Sequence, residues 1–299
     1  MHLLLIRHGD AGSRDAPLTN HGVVQTKRLG AHLVSRRSTI GPIRHIFASN
    51  LQRAYNTAGA IVEAQQSLLS KELAPIPLLE VVQLPELREK DFGSSEGVNI
   101  GSREGDGGPA HTDSESRDAM KARIDRFLAS HLLPVVDKHA TENVAVVIVA
   151  HGIILNVLLR ALLARGTPKP ILSQPQPTVN EAGGSEYLAA WSNTGVLQAK
   201  VTTVDSVSLD PHAEAGTSDQ GPVVAGLAES SPGADPPNGF FQVRFHLTIQ
   251  LTNDIDHLKG LKKTRGGIGS AKFDPKQRTV DLFFGSGSKK RKLEESNKE

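Results

Sequence analysis

The stretch His2-Leu3-Leu4-Leu5-Ile6-Arg7-His8-Gly9, HLLLIRHG over residues 2–9, decides how this chain reads. Its aliphatic run has no polar alternation, which describes a strand buried on both faces, as in a parallel sheet covered by helices. The run then stops at a guanidinium, an imidazole and a residue with no side chain. Charged groups are rarely left unpaired in a core, so a strand that carries Arg7 and His8 to its own end presents them to something there.

Two more segments repeat the pattern. IRHIFAS (43–49) and VAVVIVA (144–150) are apolar runs that end in polar residues and lead into helical periodicity. Helices are expected over HGVVQTKRLGAHLVSR (21–36), LQRAYNTAGAIVEAQQSLL (51–69), RDAMKARIDRFLASHLLPVV (117–136) and IILNVLLRALLA (153–164). Ser49 is the expected cap of the second, and His151-Gly152 introduces the last. The alternation predicts an α/β fold: a doubly wound, mostly parallel sheet with helices on both faces, in which ligands sit beyond the carboxyl ends of the strands. SEYLAAWSNTGVLQAKVTTV (185–204) and GFFQVRFHLTIQLTND (239–254) read as two further strands.

The chain of 299 residues, 38% of them hydrophobic, can bury a substantial core. No apolar run approaches the roughly 18 residues that span a bilayer, and the N-terminus lacks the pattern of a secretory leader, so neither membrane insertion nor secretion is expected. With no cysteine, disulfides and thiolate metal sites are excluded. Residues 259–299 hold 12 Lys and Arg against 5 Asp and Glu, whereas the chain as a whole is only +2. The basic character therefore belongs to a tail, and direct nucleic-acid binding is not expected of the domain. The expected organisation is one domain over 1–258, with disordered insertions at 168–186 and 206–239 rich in Ser, Pro, Gly and Ala, followed by a flexible basic tail over 259–299.

At the strand ends, Arg7 and His8 follow the first run, Arg53 lies one turn into the helix after IFAS, and His151 follows VAVVIVA. In a parallel sheet these ends converge, so the residues are expected to share one positive pocket. Such a pocket suits a phosphate: a neutral imidazole can attack phosphorus while guanidinium groups hold the equatorial oxygens in forked hydrogen bonds.

LIRHG (5–9), PLTNHGVVQTKRLG (17–30), SNLQRAYNTA (49–58), LREKDFGSSEG (87–97) and AHGIILNVLL (150–159), in that order, resemble the histidine phosphatase, or phosphoglycerate-mutase-like, superfamily. The resemblance spans about residues 1–200, and NDIDHL (253–258) is similar to the family's closing strand. It implies that His8 is a nucleophile that becomes phosphohistidine. Arg7, Arg53 and His151 would bind the phosphoryl oxygens, and Glu89 would act as the acid and then the base. It implies no metal or other cofactor, because arginines supply the neutralising charge. Ala11 and Arg14 replace the Thr and Asn of the RHGxTxxN form common in the family, and Ser13 and Asn193 are further candidates for lining the site.

FGSSEG (92–97) resembles the broad-specificity phosphatase branch, which favours hydrolysis of phosphomonoesters over the mutase reaction. RHGDA (7–11) resembles the phosphohistidine-protein phosphatases, which form one alternative. The other is a nuclear adaptor that binds a phosphorylated partner with little turnover. Residues 94–116 and 168–186 carry no motif that names the organic part of a substrate.

The tail adds two motifs. In KQRTVDLFF (276–284), Gln277, Val280, Phe283 and Phe284 fit Q-x-x-h-x-x-F-F, the pattern of peptides that dock on the replication sliding clamp (PCNA). KKRK (289–292) matches a nuclear import signal, so an import receptor and a nuclear location are expected.

Overall fold

The computed structural model describes residues 1–12, 15–69, 79–95, 113–168, 178–179, 185–186, 189–203, 245–264 and 267–274. The strands are β1 (His2–Arg7), β2 (Ile43–Ser49), β3 (Val81–Leu84), β4 (Ala145–Ala150), β5 (Thr167–Pro168), β6 (Thr178–Val179), β7 (Ser185–Glu186), β8 (Val196–Thr203) and β9 (Phe245–Asp254). The helices are α1 (Asn20–Ser35), α2 (Arg37–Ile40), α3 (Gln52–Leu69), α4 (Arg117–Phe127), α5 (Leu133–His139) and α6 (Gly152–Arg165).

Seven strands form one sheet in the order β3-β2-β4-β1-β8-β9-β5, and β6 pairs with β7 apart from it. The pairs β3/β2, β2/β4, β4/β1 and β9/β5 are parallel, while β8 runs antiparallel to both β1 and β9. The expected α/β, mostly parallel architecture is therefore present, with one antiparallel strand inside it.

The unbroken apolar runs follow from the two layers of helices. Along β1, Leu4 and Ile6 pack with Leu29 and Leu33 of α1 and Ile61 of α3, whereas Leu3 and Leu5 pack with Ile124, Phe127 and Leu155 on the other side. Along β4, Val147 and Val149 join the first layer and Val146 and Ile148 the second. Each of these side chains is within 1% of full burial, a gain of roughly 1.5–3 kcal/mol apiece, so neither face can hold a polar residue cheaply.

Some expectations are corrected. The helix expected over 117–136 is divided by a π-helical turn, Leu128–Leu132, before α5. Pro134, near the start of α5, has no N–H to donate and its ring crowds the carbonyl four residues back; the wider turn absorbs both. The single strand expected from 185 is divided: Ser185–Glu186 pair with β6, and the strand of the main sheet starts only at Val196, because residues 192–195 turn, with Gly195 N–H donating to the Ser192 carbonyl and Thr194 at φ of 58°. Ser49 Oγ accepts the Leu51 N–H at 3.2 Å just ahead of α3, while the Gln52 N–H that opens the helix is taken by Asp15 Oδ1 at 2.7 Å, so the cap is shared.

The chain after 258 does not leave the domain at once. Lys263 Nζ reaches Asp10 Oδ2 at 2.8 Å, Arg28 Nη1 donates to the Lys259 carbonyl, and Phe273 N–H donates to the Leu18 carbonyl at 3.2 Å. Residues 259–264 and 267–274 form a strap on α1 and the loop that follows β1, so the packed unit extends past the expected boundary at 258. The expected insertion at 206–239 and the motifs at 277–284 and 289–292 lie outside the described residues, as does most of 168–186.

Candidate active site

In the sheet order, β2, β4 and β1 are consecutive and parallel, so their carboxyl ends open at one edge. His8 follows β1 and donates its backbone N–H to Ala150 at the end of β4; His151 is next in that chain and caps α6. Ser49 ends β2, and Arg53 lies in the first turn of α3. The structure thus brings together Arg7, His8, Arg53 and His151, as the sequence predicts.

Glycine follows His8 for a steric reason. A Cβ on Gly9 would lie 2.8 Å from Thr26 Cγ2, and one on Gly22 only 2.1 Å from the Asp10 carbonyl oxygen. The start of α1 therefore presses directly on the backbone after His8. Thr57 of α3 accepts the Gly9 N–H at 3.1 Å and donates to the Arg53 carbonyl at 2.7 Å, which ties this loop to the turn that carries Arg53.

His8 is held by its Nδ1 against the Gly9 carbonyl at 2.7 Å. A carbonyl only accepts, so Nδ1 carries the proton and Nε2 the lone pair. Arg53 Nε donates to that lone pair at 3.1 Å and to His151 Nδ1 at 3.2 Å. With Nδ1 accepting, His151 donates from Nε2 to Ser49 Oγ at 2.9 Å. The two imidazoles meet edge to face, with ring centroids 4.9 Å apart.

Both rings are neutral near pH 7. Burial, joined by the charges of Arg53 and Arg7, lowers the His8 pKa to about 3 despite the opposing pull of the Gly9 carbonyl. Burial also lowers that of His151, with contributions from His8, Arg53 and Arg7. His8, Arg53 and His151 are 8%, 8% and 0% exposed, so the positive charge of the pocket resides on its guanidinium groups, in a desolvated setting where it acts strongly on an anion. Arg7 Nη1 donates to the Trp191 carbonyl at 2.6 Å, while its Nε is buried without a partner. Trp191 is in turn fixed by Asn156 of α6, whose Oδ1 accepts the indole N–H at 3.1 Å and the Ala189 N–H at 3.0 Å.

Glu89 lies at the same edge. Its carboxylate accepts the N–H groups of Ile153 and Ile154 in the first turn of α6, each at 3.2 Å, and that of Lys90 at 3.0 Å. Glu89 and His151 therefore share one helix N-terminus, whose N–H groups favour a negative group. On its other side, the Glu89 segment rests on a pair that sequence reasoning missed, the buried Arg123 and the half-buried Glu115. Arg123 of α4 donates to the carbonyls of Glu86, Arg88 and Glu89, and doubly to Glu115 at 2.6 and 2.9 Å. One signal was available: Arg123 falls between Met120, Ile124 and Phe127 on the apolar face of its helix.

Of the remaining candidates, Asn193 Nδ2 donates to Asp10 Oδ1 at 3.3 Å, and Ala11 pairs with Leu18 in an isolated bridge. Ser13, Arg14, Gln277, Val280, Phe283 and Phe284 lie outside the described residues.

Comparison with known proteins bears on this site. The model of the histidine phosphatase superfamily (branch 1) matches residues 3–175. A Schizosaccharomyces pombe protein named "Probable phosphatase C1620.13" is 30% identical over 295 residues, covering 94% of this chain and 78% of its own. A solved structure titled "Mycobacterial hydrolase 1" superposes with a TM-score of 0.52 at 19% identity, over 85% of this chain and 98% of that one, which shows a common fold. A mycobacterial glucosyl-3-phosphoglycerate phosphatase gives a TM-score of 0.48 at 22% identity, over 69% of this chain and 91% of its own.

Proposed function

Because this chain belongs to the histidine phosphatase superfamily and is a phosphatase of that family, we propose that it hydrolyses phosphomonoesters through a phosphohistidine at His8. The observation that carries the reading is the fixed tautomer of His8: with Nδ1–H on the Gly9 carbonyl, the Nε2 lone pair stands among Arg53, His151 and Arg7. A phosphoryl group entering there replaces the His8 lone pair as the acceptor for Arg53.

In the first step His8 Nε2 forms a bond to phosphorus, the ester P–O bond breaks, and Glu89 gives its proton to the departing oxygen, which leaves as an alcohol. In the second, Glu89 takes a proton from water, the oxygen of that water bonds to phosphorus, and the P–N bond breaks to restore His8 and release inorganic phosphate. Arg7 and Arg53 donate to equatorial oxygens, and the negative charge of the bound phosphate favours a proton on His151 Nδ1, so that this ring, which otherwise accepts there, donates to the third; guanidinium and imidazolium charge then balance the transferring group. Charge from arginine serves where a metal would otherwise act, so turnover in chelator is expected.

Hydrolysis of an aryl phosphate by the wild-type chain, His8→Ala and Glu89→Gln, with trapping of acid-labile phosphoenzyme, tests this reading. Turnover and phosphoenzyme that both vanish in His8→Ala support it. A wild-type chain that neither turns over nor labels favours the adaptor.

The tail extends the proposal: the phosphatase acts in the nucleus, delivered through the cluster at 289–292 and tethered to the sliding clamp through Gln277, Val280, Phe283 and Phe284. The support is the sequence pattern, in which two adjacent phenylalanines stand in a basic segment and need a groove to bury them.

A further inference from the structure

Arg123 is 9% exposed and carries a permanent charge, so its retention on the apolar face of α4 has a cost that packing does not explain. All five of its donors are committed. Nε and one Nη2 hydrogen hold Glu115, at 2.6 and 2.9 Å; Nη1 holds the carbonyls of Glu86 and Arg88, the latter at 2.7 Å; and the second Nη2 hydrogen holds the Glu89 carbonyl at 3.3 Å. Glu115 completes the clasp by exchanging backbone bonds with Asp91: Glu115 N–H donates to the Asp91 carbonyl at 2.8 Å, and Asp91 N–H donates to Glu115 Oε2 at 3.2 Å. Burial works most strongly against the Glu115 charge, but the Arg123 hydrogen bond, the Arg123 charge and the Asp91 N–H together outweigh it, so the carboxyl pKa lies below its usual value and the pair is ionised at neutral pH.

The clasp therefore grips the backbone of residues 86, 88, 89 and 91, the segment that carries the acid. Glu89 is gripped from both sides, its carbonyl by Arg123 and its carboxylate by the first turn of α6. We propose that the Glu115–Arg123 pair is the positioning device of the general acid: it fixes where the Glu89 carboxyl stands relative to the oxygen that leaves His8-bound phosphorus. Arg123 touches no reacting atom and acts through Glu89. The inference rests on the assignment of Glu89 as the acid given above.

Proton donation matters most when the departing oxygen is a poor leaving group, so the effect of a misplaced acid depends on the leaving group. A general loss of fold or of phosphate binding does not. The test uses the full chain and its Arg123→Lys, Glu115→Gln, Glu89→Gln and Glu89→Gln/Arg123→Lys variants. It reads kcat/KM, which reports the step in which the P–O bond breaks, on 4-nitrophenyl phosphate and on glycerol phosphate. Arg123→Lys is expected to lose about tenfold or more on the glycerol ester and less than about threefold on the nitrophenyl ester, within the range that acid catalysis supplies. On the Glu89→Gln background the same substitution is expected to cost less than about twofold, because the group through which it acts is gone.

Glu115→Gln keeps the shape of its partner and is expected to show the same substrate-dependent loss, which provides the answer if Arg123→Lys fails to fold. Equal losses on both esters, or a full loss retained on the Glu89→Gln background, would overturn the proposal and leave the pair a purely structural clasp. If Glu89→Gln loses most on the glycerol ester and neither clasp variant does, the proposal alone fails. If Glu89→Gln affects both esters equally, the acid assignment fails and the proposal falls with it.

Discussion

Arg53 Nε donates one hydrogen between two imidazoles, to His8 Nε2 at 3.1 Å and to His151 Nδ1 at 3.2 Å. A single donor shared in this way fixes both tautomers, and a guanidinium offers it in a plane that a lysine ammonium cannot reproduce. Arg53→Lys keeps the charge and loses this geometry. It is expected to lower kcat/KM by about 100-fold, the scale for removing one preorganised donor, with a proportionate weakening of vanadate inhibition. Steady-state kinetics on an aryl phosphate reads both, and a loss under about threefold would show that charge alone suffices.

Acid should weaken the fold through the same residues. An unfolded histidine titrates near 6.5, whereas burial holds His8 at about 3 in the folded chain. Between those limits the unfolded chain binds the extra proton, so stability is unaffected above about pH 6.5 and falls as pH drops toward 3, by up to about 1.4 kcal/mol per pH unit per buried ring. Urea midpoints compared at pH 7 and 5 should therefore fall further for the wild-type chain than for His8→Gln. Parallel decreases in the two would place the acid sensitivity elsewhere. Because His8 stays unprotonated, activity should have no acid limb from its titration near 6.5.

The sequence made the ends of β1 and β4 legible because each is an unbroken apolar run that stops at a polar residue, and the end of β2 because, after Arg44 and His45, it finishes on buried Ile46, Phe47 and Ala48 before Ser49. Two buried faces leave no other place for Arg7, His8 and His151. Glu89 was legible only through family resemblance, since nothing in LREKDFG distinguishes it from neighbouring acids. Asp15 lies 37 residues from the N–H it takes at the start of α3; local pattern found only nearby Ser49, which accepts the Leu51 N–H and also binds His151. The clasp joins residues from three separated segments, and its one local trace was a charge on an apolar helix face. The strap after 258 has the composition of a free basic tail, and only Asp10, far away in the chain, reveals why Lys263 is there.

Asn156 should matter for phosphate binding although it faces no phosphate. Its side chain fixes Trp191 and Ala189, and the Trp191 carbonyl fixes Arg7 at 2.6 Å. Asn156→Leu keeps the volume and leaves those N–H groups unpaired, so Arg7 loses its rest. KM for an aryl phosphate is expected to rise about tenfold with a smaller change in kcat, the signature of weakened binding common to ground and transition states. An unchanged KM would detach Arg7 from this chain of contacts.

The last prediction separates the strap from the tail motif beyond it. Ending the chain after 274 removes Gln277, Val280, Phe283, Phe284 and the cluster at 289–292, and keeps every contact described for the strap. Such a chain should retain the stability and turnover of the full protein, and should lose any binding to the sliding clamp and any nuclear accumulation. Ending it after 258 also removes Lys263 from Asp10 and Phe273 from the groove it shares with Leu18, Val23, Tyr55 and Val81. The ion pair is part-exposed and accounts for no more than about 1 kcal/mol, and Phe273 is itself 39% exposed, so the rest of the loss comes from the bonds that tie the strap to Leu18 and Asn20. Asp10 lies two residues after His8, the proposed nucleophile, hence the shorter chain should melt at a lower temperature and turn over more slowly. Equal melting temperatures for the two truncations would show that the strap carries no stability and restore the domain boundary at 258.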